Sequence, residues 1–521
     1  MNPGWFKYPP LFLYFLFSSF GLRYVVERAL GVSPSSQVFA EHFFANPLSF
    51  FVQARFVSAV LGVCAVWLVY LLSRRLSMSR RASSAAALFV ALSPILVRLS
   101  HFALTDGPML VPLLISLLFA VRFLRKGIQS DVFLAGLFSG LAAAVKYPAG
   151  ISIVGILVAA AGRTRNGESI SAGRLFAQCG VGLAAGFLIA CPWAVSDFGT
   201  FWFYVKKVGA HVGSSYLADI LASRGYIPYL TAHLPESMTW LIYLAGLSGM
   251  IMWLRRDGWP AATVAAPAIV YWLIMGAARN HFPRFSVPLL PALALGAAWW
   301  FERPALKGRR GKAVAALALT VLAGPAFASS VLSNVRLAMP DTRAAATEWI
   351  EKNVPPGARV LSELYGPRLA YTPDRARKIA SEERQLDPKA GGKFAYLASN
   401  PPSGRPGYRF IQMPLFKGRE GVSQLADDWY DPVRIRAAGV EWIVLTSSVS
   451  GRYAGRKRVF PRQAAFLGWL DRCWDEGARF TPSDPPVEHY FFRHIERRGP
   501  TLRIFKKKES FTEICGAGSQ E

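Results

Sequence analysis

Residues 99–108, Leu-Ser-His-Phe-Ala-Leu-Thr-Asp-Gly-Pro, put one carboxylate, Asp106, between two long apolar runs. An ionisable group at a bilayer boundary is costly unless it is hydrated, paired or liganded, so a polar site is its default reading. The bland alternative is a short hydrated loop that contains an aspartate. Three further groups of polar residues fall at the same membrane depth in the topology derived below. They are Lys146-Tyr147-Pro148; His211 with Ser214, Ser215 and Tyr216; and Arg279, His281 and Arg284 ahead of Pro288 and Pro291. Arg98 and His101 lie just before Asp106. One acid among several cations suits a phosphate-bearing substrate, since an Arg fork grips phosphate bidentately and Lys acts as a point charge. The competing reading for each cation is snorkelling to lipid headgroups, which fits Arg279 best. Lys146, flanked by Tyr-Pro inside apolar sequence, points to function. His101 and His211 read either as interfacial hydrogen-bonded residues or as direct substrate contacts.

Those residues need a scaffold, and composition supplies its class. Of 521 residues, 52% are apolar and the mean hydropathy is +0.28. Apolar runs of about 20 residues recur, the length that crosses a hydrocarbon core of ~30 Å. Spans are predicted at 47–73, 84–103, 107–124, 131–146, 148–162, 174–195, 238–254, 260–278, 284–301 and 313–333. The net charge of +27 does not indicate nucleic acid, because Lys and Arg cluster in short segments between the apolar runs. Arg74, Arg75, Arg80 and Arg81, the Arg122 to Lys126 group, the Arg163 to Arg174 group, Arg255 with Arg256, and the Arg303 to Lys312 group share one side. By the positive-inside rule that side is cytoplasmic, so Asp106, the 196–237 loop, Arg279 to Arg284 and everything after 334 face outward.

The apolar stretch 8–31 does not fit as a crossing, since one there would invert every later loop. It carries Arg23, Glu27 and Arg28 and opens with Tyr8-Pro9-Pro10, which suits an interfacial helix starting at prolines, with a re-entrant helix as the alternative. Gly136 and Gly140 read as helix-packing positions. Residues 335–521 carry more charge, Pro and Gly. Asp341 to Ile350, a Pro355-Pro356-Gly357 turn and the strand at Val360-Leu361 predict an α/β unit, and Gly439-Val440 to Leu445 another strand. The expected organisation is an outward interfacial segment over 1–46, a transmembrane bundle of about ten helices over 47–334, and a soluble extracytoplasmic α/β domain over 335–521. The fold class is therefore mainly α. Cys64, Cys179 and Cys191 sit in apolar spans, while Cys473 and Cys515 lie outward, where an oxidising compartment would let them pair.

Ala54 to Gly62, Ser100-His101 to Thr105-Asp106, Ala135 to Lys146-Tyr147, and Arg284 to Pro291 resemble, as an ordered set, the polyprenyl-phosphate-dependent glycosyltransferases of the GT-C fold. The similarity is greatest to the family 39, protein mannosyltransferase and aminoarabinose transferase group, and covers roughly residues 1–370. It implies transfer of a sugar, with inversion, from a polyprenyl-phosphate carrier to a glycan, lipid or protein acceptor outside the cytoplasmic (inner) membrane of a bacterium. Mannose, glucose, galacturonic acid and aminoarabinose all fit. Members usually start with a transmembrane helix and an outward acidic motif holding the catalytic base, and Met1 to Pro10 resembles the segment just after that motif. Either the start lies further upstream or the chain is a truncated, non-catalytic paralogue. The resemblance gives Lys146 and Arg284 the lipid phosphate, with Tyr147 as a supporting donor. It gives Asp106 an acceptor-orienting, metal-binding or supporting-base role. Arg98, His101, His211, Arg279 and His281 are further substrate-binding candidates. One visible acid is too thin a basis for a bound divalent cation, so no cofactor is assigned. The competing class is a transporter or flippase of a lipid-linked or anionic substrate, which predicts charged mid-span positions and an internal repeat; neither is found.

Overall fold

The computed structural model describes residues 2–213, 224–279, 281–303, 308–386, 391–402, 404–413, 427–453, 457–458, 460–482 and 499–511. Helices dominate as far as residue 338. In chain order they are α1 (Leu11–Ala29), α2 (Ser36–Ala45), α3 (Leu48–Arg75), α4 (Arg80–Ala91), α5 (Pro94–Ser100), α6 (Leu110–Lys126), α7 (Ser130–Val145), α8 (Ile153–Arg165) and α9 (Ala172–Ala190). After a short turn of helix, α10 (Trp193–Ser196), come α11 (Phe198–Gly213), the single turns α12 (Tyr226–Pro228) and α13 (Leu234–Met238), then α14 (Trp240–Arg256), α15 (Gly258–Gly276), α16 (Leu290–Trp299) and α17 (Gly308–Ala338).

All ten predicted spans correspond to these helices, but they differ in kind. Among the described residues, six helices are long and apolar enough to cross a membrane, or eight if two bent pairs each make one crossing. The pairs are α4 with α5, bent by 59° ahead of Pro94, and Tyr226–Met238 with α14, bent by 115° at Thr239. The remaining two, α6 and α7, have 17 and 16 residues, just under a full crossing. Arg122 near the end of α6 reaches over to the fully buried Asp131 in the first turn of α7, its Nε donating to both carboxylate oxygens at 2.9 and 2.8 Å. That bond fixes the α6–α7 hairpin at its basic end. Within the stretch 8–31, helix α1 leaves Phe15, Phe17, Leu22 and Val25 exposed along its length, as either an interfacial or a re-entrant helix would.

Two helix pairs touch backbone to backbone. Gly136 and Gly140 of α7 face Gly182 and Gly186 of α9, and a Cβ at any of the four would strike a carbonyl oxygen across the contact: Cys179, Leu183, Phe133 and Leu137 respectively. Small residues four apart are what lets helices without a hydrophobic driving force approach this closely. Gly246 and Gly249 of α14 meet α16 at Leu293 and Gly296 in the same way. Cys179 packs in the α7–α9 contact and Cys191 is buried, as expected of core cysteines.

Beyond α17 the chain changes to an α/β fold. Helix α18 (Thr342–Asn353) is capped by the Asp341 carboxylate, which accepts from the Arg343 backbone at 2.9 Å. Gly357 turns the chain with φ +84°, and β1 (Val360–Ser362) follows, matching the predicted helix, turn and strand. With β2 (Ala370–Tyr371), α19 (Pro373–Leu386), α20 (Gly392–Ser399), β3 (Gly407–Tyr408), β4 (Ile411–Gln412), α21 (Pro432–Ala437), β5 (Trp442–Thr446), α22 (Pro461–Cys473), β6 (Trp474–Phe480) and β7 (Leu502–Lys507) this makes a five-stranded sheet in the order β4-β1-β5-β7-β6. Strands β4, β1 and β5 run parallel, β7 runs antiparallel to both of its neighbours, β5 and β6, and β2 and β3 pair separately as a two-stranded parallel sheet. All five residues of β5 are buried. Ile443 and Leu445 feed one apolar cluster, and Trp442 and Val444 the other, because alternate side chains point to opposite, covered faces. Cys473 is engaged in a disulfide; its expected partner Cys515 lies outside the described residues. Phe44 of α2 packs on Tyr396 of α20 at 5.8 Å, so the amino-terminal segment touches the carboxy-terminal region.

Glu363 closes β1 with a fully buried carboxylate that accepts from the Tyr430 hydroxyl (2.9 Å) and the backbone N–H of Thr446 (2.6 Å) and Ser450 (3.3 Å). Burial, only partly offset by those three donors, pushes its pKa up to about 7. An acid whose pKa is raised on folding favours the folded state while neutral and loses that contribution as pH rises from its unfolded value toward the folded one. Thermal unfolding of the detergent-purified chain should therefore show a stability that declines between about pH 4.5 and 7, and Glu363→Gln should flatten that decline. Separately, Gly140→Leu or Gly186→Leu should sharply lower the unfolding temperature of the bundle, while Gly180→Leu, whose Cβ would meet nothing within 4 Å, should leave it unchanged.

Candidate active site

The site is built at two breaks in the helical bundle. The first is the 101–109 loop between α5 and α6, which holds Asp106 at 3% exposure. The second is the junction of α7 and α8. Pro148 has no N–H to continue the ladder and its ring clashes with the carbonyl four residues back, and α7 ends at Val145, ahead of Lys146, whose backbone is extended (φ −155°, ψ 120°). A 3-10 turn over Tyr147–Ser152 then restarts the helix as α8. This corner points the Lys146 side chain at Asp106. The two form a salt bridge, Lys146 Nζ to Asp106 Oδ1, inside the main apolar cluster. Asp106 Oδ2 accepts no hydrogen bond among the described residues. The ammonium also sits 4.5 Å from the centre of the Phe285 ring.

Phe285 belongs to the third element, the 3-10 turn Pro283–Leu289, which carries Arg284. The Arg284 guanidinium lies between the Phe282 and Phe285 rings, 5.2 and 5.4 Å from their centres, and its Nε is buried without a hydrogen-bond partner. Asp106, Lys146 and Arg284, separated widely in sequence, are thus brought together.

Sequence reasoning missed a fourth contributor. Lys7 stands at the rim beside Arg284 and Lys207 of α11, and no acid pairs with it among the described residues. Crowding by protein on its flanks, then the like charges of Lys207 and Arg284, lowers its pKa. The neighbouring Tyr8 hydroxyl feels Arg284 and Asp106, although burial dominates and raises its pKa. Lys7 and Arg284 are thus two cations with no acid partner among the described residues, an arrangement that favours an anion. The signal was present in Phe6-Lys7-Tyr8-Pro9-Pro10, a lysine ahead of a double proline, but the prolines were read only as a helix start.

Other expected site residues take different positions. Tyr147, expected to donate to a phosphate, instead donates to the Phe6 carbonyl at 2.8 Å and packs on Phe187 and Phe201. It anchors the amino-terminal segment that presents Lys7. Arg98 is half-buried in the last turn of α5, and His101 is exposed with Nδ1 on the Val97 carbonyl at 2.8 Å. Arg279 is exposed after α15, the snorkelling position. His211 lies on α11, but its side chain, like Ser214, Ser215 and Tyr216, is outside the described residues. His281 meets a residue not singled out from sequence, His233, at 2.8 Å between ring nitrogens. That contact continues as a polar seam: the Ser237 and Ser286 hydroxyls are 2.7 Å apart, and Ser93 donates to the Ser237 carbonyl at 2.7 Å. The seam ties Tyr226–Met238 to the Arg284 turn. No group of three or more His, Cys, Asp or Glu side chains able to hold a metal ion occurs among the described residues.

Compared with known proteins, residues 49–195 match the family model of dolichyl-phosphate-mannose-protein mannosyltransferases. No curated protein matches by sequence. Among solved structures, the chain is similar to ArnT from Cupriavidus metallidurans in the apo state, with TM-score 0.53, 12% identity, and 96% of this chain and 88% of ArnT covered. The same protein bound to undecaprenyl phosphate gives TM-score 0.50 over the same coverage and at the same identity. The chain therefore has the GT-C fold that ArnT shows. Within it, the matched segment 49–195 holds both Asp106 and Lys146.

The pair sets a test of the geometry itself. Removing one member of a buried ion pair leaves an uncompensated charge and costs about 3–5 kcal/mol, whereas removing both can be nearly neutral. Lys146→Met alone should strongly destabilise the chain in chemical unfolding, and Asp106→Asn together with Lys146→Met should recover most of that loss.

Proposed function

We propose that this chain is an integral-membrane glycosyltransferase that moves a sugar from a polyprenyl-phosphate carrier to an acceptor on the outer side of a bacterial cytoplasmic membrane. The observation that carries the reading is the buried Asp106–Lys146 pair beside Arg284 and Lys7, placed within a GT-C architecture. ArnT, whose fold this chain shares, has been solved with undecaprenyl phosphate bound. The family model that matches is named for a dolichyl-phosphate-mannose donor.

The chemistry follows from the groups present. An acceptor hydroxyl or amine attacks the anomeric carbon, the bond from that carbon to the phosphate oxygen breaks, and the polyprenyl phosphate departs with the electron pair. Phosphate is already a good leaving group, so a single base suffices, unlike glycoside hydrolysis with its acid and base pair. Arg284 and Lys7 bind the phosphate and stabilise the charge growing on it. Lys146 adds its field to theirs while holding Asp106 Oδ1. That leaves Oδ2 to orient the acceptor and to take its proton as the new bond forms. On this reading residues 1–46 lie along the outer face, 47–334 form the bundle, and 335–521 form an extracytoplasmic unit that meets the acceptor. A transporter is the competing reading, and the internal repeat that it would often carry is not found in the sequence.

The reading is tested with purified protein in vesicles supplied with synthetic polyprenyl-phosphate sugars. Asp106→Asn together with Lys146→Met, the variant expected to keep its stability, should lower transfer by about 10²-fold or more, and Arg284→Ala should raise the KM for the donor. Transfer that is unchanged in the double variant would remove the carboxylate from the mechanism.

A further inference from the structure

Two buried tyrosine hydroxyls of the bundle have no partner among the described residues. Tyr229 and Tyr271 are each 1% exposed, and neither hydroxyl makes a hydrogen bond to a described residue. A buried polar group left unpaired costs about 1–3 kcal/mol, and buried side-chain hydroxyls in native structures almost always find a partner. Both stand at the site described above. The Tyr271 hydroxyl, on α15, lies within electrostatic range of both Asp106 and Tyr229. Tyr229 packs edge-on to His233 at 5.2 Å and against His281 at 6.3 Å.

The backbone around Tyr229 has the same character. Tyr229 opens a π-helical turn over Tyr229–His233, and the segment ends at Thr239 with φ +71°. Such turns recur at functional sites, and a β-branched residue in the left-handed region is strained. At membrane depth, irregular backbone is tolerated where protein covers it or where it lines a cavity.

We propose that the Tyr229 and Tyr271 hydroxyls bind the ring hydroxyls of the donor sugar, and so form its recognition subsite next to the phosphate-binding cations. A phenol both donates and accepts, which matches a sugar hydroxyl and would supply the partners missing in the empty protein. The arrangement also fits the direction of the lipid: the phosphate binds at Arg284 and Lys7 on the rim, and the sugar points inward. Because both rings are buried, a sugar reaches them by displacing part of the Tyr226–Met238 segment. This inference rests on the glycosyltransferase reading.

The test uses Tyr229→Phe, Tyr271→Phe and the double variant of the full chain in nanodiscs. The probes are undecaprenyl phosphate alone and undecaprenyl phosphate carrying mannose, glucose or aminoarabinose. Each substitution removes only an unpaired hydroxyl, so thermal stability of the empty protein should be unchanged or raised. The double variant should bind the sugar-bearing carrier preferred by wild type about tenfold or more weakly, since two hydrogen bonds are lost, and the bare carrier as well as wild type does. Equal affinity for the sugar-bearing carrier, or equal loss on both probes, would overturn the assignment. So would a wild type that gains nothing from the sugar. A wild type that binds neither probe would instead overturn the glycosyltransferase reading on which the assignment stands.

Discussion

Asp106 and Lys146 are each intolerable where they sit unless the other is present. They lie among Leu99, Met109, Leu110, Val145 and Ala149 in the largest apolar cluster of the chain. In such surroundings the attraction between opposite charges is much stronger than in water, and so is the penalty for leaving one alone. The loop between α5 and α6 and the corner between α7 and α8 are therefore held at one depth, because any shift of one past the other would separate the charges. The turn carrying Arg284 joins them through Phe285, whose ring faces the Lys146 ammonium. Three breaks in helices become one polar pocket around a single ion pair.

The parts of this arrangement that the sequence disclosed are those governed by local rules. Ten apolar runs were visible because lipid demands long uninterrupted helices, and Asp341, Gly357 and the strand at Val360 because caps, turns and alternation are short-range. Asp106 and Lys146 stood out for being charged in apolar surroundings. That they pair with each other did not follow, since 40 positions separate them and pairing depends on how the helices cross. Tyr147 shows the same limit: the resemblance implies a phosphate donor, while its hydroxyl here donates to the Phe6 carbonyl, 141 positions away, a pairing that no local rule discloses. Tyr229 and Tyr271 gave no signal, as a tyrosine in an apolar run reads as packing and only its unpaired hydroxyl marks it out.

The two sides of the pocket differ mechanically. Lys146 caps the end of α7, which is joined to α9 through Gly136, Gly140, Gly182 and Gly186 with no side chains between the backbones. Such a contact has little freedom to slide, because any displacement drives an α-carbon into a carbonyl. On the other side, Tyr226–Met238 is a chain of single turns with a π-helical step and a left-handed residue, joined to the Arg284 turn by hydrogen bonds from His233 and Ser237. Conformational change on binding falls naturally to that side, where small dihedral adjustments can move several polar groups together.

Helix α7 also fixes a vertical coordinate. Its 16 residues rise about 24 Å, short of a hydrocarbon layer of ~30 Å. A longer helix could answer a change in bilayer thickness by tilting, but the glycine contact with α9 denies α7 that freedom. With its start held by the Arg122–Asp131 bond, the Lys146 corner is recessed relative to a full hydrocarbon layer. A carrier with a long polyprenyl tail would reach such a recessed pocket from the side, its tail never leaving the membrane, while a water-soluble acceptor would have to come down to meet it.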